Sequence, residues 1–399
     1  MRKPVVIVAG YWVRYPLGGH VLGQLHYLRG LQRLGCEVAF IEHFGWPSSC
    51  YNPQNNTMSD DTTHGLAVLK REFARSGLQK WCYVDAAGNY HGLSRDAVRK
   101  LCRDADLLLS LASTTWLDEF RECRARAYVD TDPGFTQFGM VPTPGPSCAG
   151  YASPCDFQFH FTIGTRIGQP DCPIPTHGLQ WRPTRWPMVL ELAPFRCVPD
   201  AKFFTTVMSW RPRKTIVHKG VEYGQKDVEF MRFTDLPKRV GSIFEIALAG
   251  PNAPREQLAA AGWRIADPLR VTATPWTYRD YISQSRGEFG VAVNLEVKTR
   301  SGWFGDRNAM YLAMGKPVII QDTGFSESLP CGEGLFAFKD IEDVVAAIES
   351  VGENYARHCG TARRIAEEYF DSEKVLRAML QACDLPVPVS RASRTSSAR

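Results

Sequence analysis

The residues best suited to ligand chemistry lie at positions 301–323, in the stretch SGWFGDRNAMYLAMGKPVIIQDT. A glycine-containing loop leads into a short amphipathic helix that begins at Asp306. A Gly-Lys-Pro turn then precedes an apolar strand that ends at Asp322. In a parallel α/β sheet, this order places a helix N-terminus, with unpaired N–H groups and partial positive charge, at the carboxyl edge of the strands. The pattern therefore predicts a site for a phosphate-bearing ligand.

The first half of the chain reads as a parallel sheet that begins with a strand, a helix and a second strand. Residues 4–10 form an apolar strand, residues 20–34 carry leucines at helical spacing, and residues 37–42 form the next strand. Such a unit requires a right-handed parallel crossover. We expect further strands at residues 106–112, 125–130 and 157–163, and a surface loop at 52–64.

A proline-rich connector at residues 181–200 separates this half from a second α/β half. There we expect strands at 204–210, 215–218, 244–250, 289–295 and 317–322. The expected helices span 226–240, 254–262, 278–286 and 306–315, and three more follow at 341–351, 355–369 and 372–383. The sequence thus predicts an α/β protein with two Rossmann-like domains, residues 1–188 and 189–383, and a disordered basic tail at 384–399.

Composition narrows the classes of partner and cofactor. The 399 residues carry a net charge of only +5, with Lys and Arg scattered along the chain, so we expect no nucleic acid partner. The N-terminus lacks the pattern of a signal peptide and no apolar run is long enough to cross a bilayer. Twelve cysteines then favour reduced thiols in the cytoplasm. A zinc cluster of Cys148, Cys155, Cys172, His160 and His177 is disfavoured, because their spacing matches no standard motif.

Two stretches resemble a known family. Residues 17–42, LGGHVLGQLHYLRGLQRLGCEVAFIE, and residues 306–338, which begin DRNAMYLAMGKPVIIQDTGF, resemble GT-B glycosyltransferases of the large group 1 (family 4) type. The resemblance implies two Rossmann-like domains that face each other across a cleft. The acceptor would lie on the N-terminal domain and the nucleotide-diphosphate sugar on the C-terminal domain. It further implies sugar transfer to an acceptor hydroxyl, with no metal and no cofactor besides the nucleotide sugar.

The resemblance assigns the donor diphosphate to two loops. Gly224 and Lys226 match the basic loop early in the second domain, while Ser301, Gly302 and Arg307 surround the later helix start. Lys226 would supply a point charge and Arg307 a planar fork, and both suit a diphosphate.

Three more donor contacts carry alternatives. Trp303 stacks on the nucleobase or packs internally. Many relatives hold the ribose with a glutamate at the position of Met310, so Asp306, one turn earlier, takes that role or only caps its helix. Asp322 binds sugar hydroxyls or ends a strand in a turn.

The acceptor side involves the loop after the first strand and a second strand end. Gly18, Gly19 and His20 would face the cleft, and the imidazole of His20 suits proton transfer from a hydroxyl, unless it only hydrogen-bonds the loop. Asp130 and Asp132 bind the acceptor or act as base, or else form a turn before a proline. An inverting reaction needs His20 or Asp132 as base, whereas in a retaining one the donor phosphate can serve. The sequence leaves the stereochemistry open.

Other functions remain as alternatives. A nucleotide-sugar epimerase would use the same architecture without an acceptor, and a non-catalytic nucleotide-sugar-binding protein would fit the loss of the glutamate at Met310. An NAD-dependent oxidoreductase is less favoured, because GYWVRYPLGGH after the first strand lacks GxGxxG spacing. Peripheral membrane contact and the oligomeric state stay open.

Overall fold

The computed structural model describes residues 2–112, 114–140 and 152–386. They form two parallel β-sheets with helices on both faces. Cys148 of the disfavoured zinc cluster and the part of the expected tail beyond residue 386 lie outside these ranges. No helix in the described ranges is long and apolar enough to span a membrane.

The first half contains an eight-stranded sheet and a small separate hairpin. Its strands are β1 (Val5–Ala9), β2 (Glu37–His43), β3 (Cys50–Asn52), β4 (Thr57–Ser59), β5 (Lys80–Val84), β6 (Tyr90–Gly92), β7 (Leu107–Leu111), β8 (Arg126–Asp130), β9 (Phe159–Thr162) and β10 (Trp181–Pro183). The sheet order is β10-β9-β8-β7-β1-β2-β5-β6, and only β6 runs antiparallel to its neighbour. The hairpin β3–β4 lies in the expected surface loop.

The second half contains a six-stranded, wholly parallel sheet. Its strands, with those of a second hairpin, are β11 (Phe204–Ser209), β12 (Ile216–His218), β13 (Val221–Tyr223), β14 (Phe244–Ala249), β15 (Arg264–Ala266), β16 (Gly287–Gly290), β17 (Val318–Gln321) and β18 (Leu335–Phe338). The order is β15-β14-β11-β16-β17-β18, and β12 pairs with β13.

Helices cover both sheets and close the chain. They are α1 (Gly18–Arg33), α2 (Thr63–Arg75), α3 (Arg95–Asp104), α4 (Phe135–Phe138), α5 (Lys226–Phe230), α6 (Leu236–Val240), α7 (Arg255–Ala260), α8 (Pro268–Val271), α9 (Pro275–Gln284), α10 (Asn294–Thr299), α11 (Asp306–Ala313), α12 (Ile341–Glu353), α13 (Tyr355–Tyr369) and α14 (Ser372–Ala382). Two elements differ from expectation. The strand expected at 289–295 ends at Gly290 and α10 follows it, and the helix expected at 226–240 is split into α5, a 3₁₀ turn and α6.

The central strands are apolar because both faces of each sheet are covered there. All five residues of β1 (VVIVA) and of β7 (LLLSL) are buried. Parallel strands with helices on both sides require such continuous apolar runs. The expected α/β class is therefore confirmed.

The first strand of each half is central in its sheet. β1 lies between β7 and β2, and β11 lies between β14 and β16. The chain continues from β1 to β2 but from β7 in the opposite direction to β8, and likewise from β11 to β14 but from β16 to β17. Such a reversal of strand order opens a crevice at the carboxyl edge. Each sheet thus offers a ligand position at the end of its first strand.

The C-terminal helix returns to the first half. A Cβ on Gly30 of α1 would lie 2.5 Å from a methyl carbon of Leu376 in α14, so a glycine is needed for this close helix contact. At the first residue of α14, the amide of Ser372 donates to the carbonyl oxygen of Met188 at 2.9 Å. The end of the chain therefore fixes the connector between the halves.

The N-terminus of α1 packs against the backbone of the second half. The amide of Gly18 donates to the carbonyl oxygen of Thr272 at 2.7 Å, and a Cβ at Gly18 would overlap the carbonyl group of Thr274. A Cβ on Gly19 would lie 3.1 Å from the ring of Tyr278 in α9. The paired glycines therefore allow the two halves to approach closely.

We predict that Gly18→Ala destabilises the protein by about 1–3 kcal/mol, because the obstructing atoms are backbone and cannot turn aside. Small-angle scattering should show a larger radius of gyration as the halves separate. The matched control is Gly360→Ala within α13, where the added Cβ meets only a side chain at 3.5 Å. A Gly18→Ala protein with the melting temperature of the control would contradict this packing role.

Candidate functional site

A cleft of about 570 Å³ lies between the carboxyl edges of the two sheets. The first half lines it with Tyr11, Arg14, Tyr15, Leu17, His20, Trp46, Thr131, Asp132, Phe135 and Trp186. The second half lines it with Ser209, Pro212, Arg213, Lys226, Val293, Glu296, Trp303, Gly305 and Asp306. Both strand-end positions predicted by the topology therefore open into one space.

The loop after β1 is held by a buried carboxylate of β2. Glu42 accepts hydrogen bonds from the amides of Trp12, Val13 and Arg14 at 2.7, 2.7 and 2.9 Å. The guanidinium of Arg14 lies 3.5 Å from the same carboxylate, and both side chains are at most 1% exposed. A carboxylate with several backbone donors fixes a loop firmly. The cleft wall formed by this loop is therefore rigid.

Aromatic rings cover that wall. The ring centroid of Tyr15 lies 6.3 Å from that of Tyr11 and 6.1 Å from that of Tyr51, and Arg14 lies 5.1 Å from the rings of Tyr11 and Trp46. Sequence reasoning did not single out these residues. The motif YWVRY directly after β1 was the available signal.

His20 lies in the cleft in the first turn of α1. Its Nε2 is 2.7 Å from the carbonyl oxygen of Tyr11 and 2.8 Å from Nε2 of Gln24. A proton on Nε2 would be donated to that carbonyl, which leaves the lone pair on Nδ1. Burial lowers the pKa of His20 to about 4. The imidazole is therefore neutral near pH 7 and able to accept a proton.

The structure separates the two aspartates after β8. Asp130 is fully buried and accepts hydrogen bonds from Thr136, Gln137 and Thr162 at 2.7–2.8 Å, so it fixes the ends of β8 and β9. It is not among the residues that line the cleft. Asp132 lines the cleft and pairs with Arg213 of the second half at 2.6 Å.

Lys226 is a buried cation in the cleft wall. Its side chain is 8% exposed, and Nζ lies 6.0 Å from the ring centroid of Trp303. Within the described ranges the ammonium group has no ion pair or hydrogen bond. Burial and the nearby Arg307 lower the pKa of Lys226. A group of this kind suits an anionic ligand.

Polar contacts position the start of α5 and therefore Lys226. Gly224 donates its amide to Oδ1 of Asn294 at 2.8 Å, and Nδ2 of Asn294 donates to Glu229 at 2.6 Å. Glu229 also accepts from Gln321 at the end of β17 at 2.6 Å. Gly224 thus helps to fix the position of Lys226, although Gly224 itself is not among the residues lining the cleft.

Arg307 lies beneath the cleft rather than in its wall. Its Nε donates to Glu288 of β16 at 2.5 Å and its Nη1 to the carbonyl oxygen of Val207 at 2.8 Å. Glu288 is fully buried and also accepts from Asn308. This arginine fastens α11 to the sheet, and its predicted contact with a diphosphate stays a prediction.

Ser301 and Gly302 lie at the contact between the halves. The carbonyl oxygen of Ser301 accepts from the amide of Arg166 at 3.0 Å, and that of Gly302 accepts from the hydroxyl of Thr165 at 3.2 Å. The amide of Gly302 already donates to Thr323 at 2.8 Å, so it is not free for a phosphate. A φ of 77° explains the glycine.

The remaining donor candidates divide between cleft and interior. Trp303 and Asp306 line the cleft, and Asp306 is the first residue of α11. Asp322 lies outside the cleft lining, where it accepts from the amide of Gly324 at 2.9 Å and the hydroxyl of Ser326 at 3.0 Å in a turn.

Sequence reasoning missed Arg213 and Glu296. Glu296 is 4% exposed in the cleft wall, and its Oε2 accepts from the amide of Val293 at 3.2 Å. Burial raises its pKa, although Lys226 nearby opposes this. The apolar run up to residue 295 predicted a continuous strand. The strand in fact ends at Gly290, and Glu296 lies in the first turn of α10, where its side chain is buried in the cleft wall. Over the described residues, no three His, Cys, Asp or Glu side chains form a metal-binding group.

No family model matches the sequence, and no curated protein matches it either. Solved structures do match. They include an α-glucosyltransferase in complex with UDP and a 13-mer DNA (TM-score 0.60, 10% identity, 96% of this chain and 100% of that chain). Anabaena HepE in complex with UDP and glucose matches with a TM-score of 0.54, 11% identity and coverages of 96% and 100%. A glycosyltransferase from Rickettsia africae matches with a TM-score of 0.51, 10% identity and coverages of 96% and 98%.

These matches correct one expectation and confirm another. The exclusion of nucleic acid was wrong, because a glucosyltransferase with this fold is solved with DNA bound, so a weak and scattered positive charge does not rule out such a partner. The expected architecture is confirmed over 96% of the chain. The protein has the two-domain GT-B fold of nucleotide-sugar glycosyltransferases.

Proposed function

We propose that this protein transfers a sugar from a nucleoside diphosphate sugar to an acceptor hydroxyl in the cleft, without a metal ion. The observation that carries the proposal is the ammonium group of Lys226. It is buried in the cleft of a fold whose solved examples bind UDP. Within the described part of the chain it contacts the ring of Trp303 but has no hydrogen bond or close ion pair.

A buried, unpaired charge is costly, and an anionic ligand removes that cost. The pyrophosphate of a nucleotide sugar would lie against Lys226, with Arg213 at the same wall. During transfer, negative charge grows on the leaving diphosphate, and a fixed cation in a water-poor cleft stabilises it without reorganisation. These side chains would supply the stabilisation that a metal ion gives elsewhere.

Trp303 and Asp306 suit the nucleoside. The indole of Trp303 lies beside Lys226 in the cleft wall and offers a ring face to the base. Asp306 offers a carboxylate to the ribose hydroxyls from the first turn of α11. Met310 is buried one turn further along the helix, so it does not compete for this role.

The acceptor would enter against the wall formed by the loop after β1. His20 and Asp132 lie at that wall, and His20 is neutral at physiological pH. Either group is placed to accept the hydroxyl proton in an inverting reaction. Because a DNA-bound glucosyltransferase shares the fold, acceptors to be tested include oligonucleotides as well as sugars.

The decisive experiment is a thermal-shift screen of nucleotide sugars, followed by turnover with a panel of acceptors in the presence of EDTA. A ligand that binds only the folded state raises its melting temperature. Transfer that persists in EDTA supports the proposal. Release of free sugar without an acceptor indicates an epimerase, binding without turnover indicates a binding protein, and no binding overturns the proposal.

We predict that Lys226→Met weakens UDP binding by about 1.5–3 kcal/mol, because a charge-assisted contact is lost while the aliphatic chain remains. Calorimetry measures the affinity. Lys298→Met is the matched control, since that lysine is exposed and donates to the carbonyl oxygen of Glu222 outside the cleft. Equal affinities for both variants would eliminate Lys226 as the phosphate contact.

Arg307→Met should act on stability instead. Loss of the guanidinium leaves the buried carboxylate of Glu288 without its charged partner, which we expect to cost about 3–5 kcal/mol of unfolding free energy. Chemical denaturation measures this cost. A variant of normal stability with weak UDP binding would place Arg307 at the phosphate after all.

We predict that His20→Gln lowers kcat by roughly 10²- to 10⁴-fold, the contribution of a general base, with little change in UDP affinity. Because burial lowers the pKa of His20 to about 4, the neutral base persists down to that pH. The acid limb of the rate profile should therefore lie near pH 4 rather than near 6.5. Unchanged turnover would indicate a retaining reaction, and an equal loss of affinity would indicate a structural role.

A further inference from the structure

Two close ion pairs account for much of the charge around the proposed diphosphate position. Arg213 pairs with Asp132 at 2.6 Å, which joins the two halves, and Arg307 pairs with Glu288 at 2.5 Å beneath the cleft. Each cation has its own carboxylate, so these four groups nearly cancel. They leave little net charge for a ligand.

The groups outside these pairs carry an excess of negative charge. Lys226 is the cation that remains among the described lining residues of the second half, and it faces the carboxylates of Glu296 and Asp306. All three groups are buried or nearly so. Lys226 is therefore close to two carboxylates even before a ligand binds.

A diphosphate would add at least two negative charges at this position. Three anionic groups would then surround Lys226 in a cleft with little water, and like charges at close range disfavour their own ionisation. Protonation of one carboxyl group relieves the repulsion. The protonated group also gains an O–H donor that an anionic oxygen can accept.

Glu296 is the better placed of the two carboxyl groups to take the proton. It receives one backbone hydrogen bond, from Val293, whereas Asp306 is the first residue of α11. The partial positive charge at a helix N-terminus favours the ionised carboxylate, so Asp306 is held ionised more strongly.

The groups around Glu296 shift its pKa in opposite directions. Burial and Asp132 raise its pKa, while Lys226 on α5 and Arg213 after β11 lower it. A bound diphosphate would neutralise Lys226, which is the largest of the charges that lower the pKa of Glu296. The pKa of Glu296 would therefore rise on binding.

We propose that Glu296 is the proton-binding group of this site: it holds a proton while a nucleoside diphosphate lies at Lys226, and it donates its O–H to the ligand. The proton comes from solvent on binding and returns on release. The inference rests on the proposed function, since it requires a diphosphate at Lys226. Donor binding is then tied to proton uptake.

Calorimetric titration of the full-length protein with UDP tests the coupling. Measurements at pH 7.5–9 in Tris and in HEPES, which differ in protonation enthalpy, give the number of protons taken up. The second phosphate pKa is about 6, so the ligand does not titrate in this range. We expect net proton uptake, of which Glu296 contributes up to one proton per UDP. For each proton taken up, the affinity should fall by up to about tenfold per unit of rising pH.

Burial lowers the pKa of Lys226 to about 8, so this lysine also gains a proton when a diphosphate binds, and its share of the uptake stays in every variant that keeps it. Glu296→Gln should remove the share of Glu296, because the amide donates without titrating, and Asp306→Asn should retain both shares. Melting temperatures verify that both variants fold. UDP binding by the unmodified protein without proton uptake, or uptake in Glu296→Gln equal to that of the unmodified protein, overturns the role of Glu296 alone. Failure of UDP and of every other nucleoside diphosphate to bind at any pH overturns the proposed function as well.

Discussion

The burial of one ammonium group between two sheets is the constraint on which the site depends. Lys226 begins a five-residue helix that could not hold a charged side chain inward by itself. The network of Gly224, Asn294 and Glu229 fixes this helix start, so the hydrogen bonds of neighbouring residues set the position of the lysine. Buried charges without partners are rare where they serve only stability, and they concentrate where a ligand completes them.

The cleft exists because the halves meet on either side of it. On one side the glycines that begin α1 contact the backbone before α9, and on the other Ser301 and Gly302 contact the loop at Arg166. Glycine is used at both contacts because backbone approaches backbone. Ser301 and Gly302, which the sequence predicted at a phosphate, and Gly18 and Gly19, which it predicted at the acceptor, therefore hold the two halves together on either side of the cleft.

Local patterns predicted the fold and part of the site. The β1–α1–β2 unit was predictable because burial on both faces leaves a continuous apolar strand and leucines at helical spacing. Lys226 was proposed from the resemblance of its loop to the family's basic loop, and it lines the cleft. The separation of Asp130 from Asp132 was not predictable, because it depends on which side chain meets Gln137 and Thr162, and neither contact follows from the local pattern of the strand. Glu296 was hidden for a similar reason, since an apolar run does not reveal where a buried strand ends.

The expectation of no nucleic acid partner was wrong because net charge reports on only one kind of binding. A scattered positive charge argues against strong, salt-dependent binding to a phosphate backbone, which needs many Lys and Arg on one surface. Net charge does not indicate whether one hydroxyl group of a large acceptor can enter the cleft of a transferase. The affinity of a protein for a charged polymer depends on its outer surface. The access of a single hydroxyl group to the reacting position depends on the walls of the cleft. Net charge informs the first, whereas under the proposed function the second would depend on the cleft walls around His20 and Lys226.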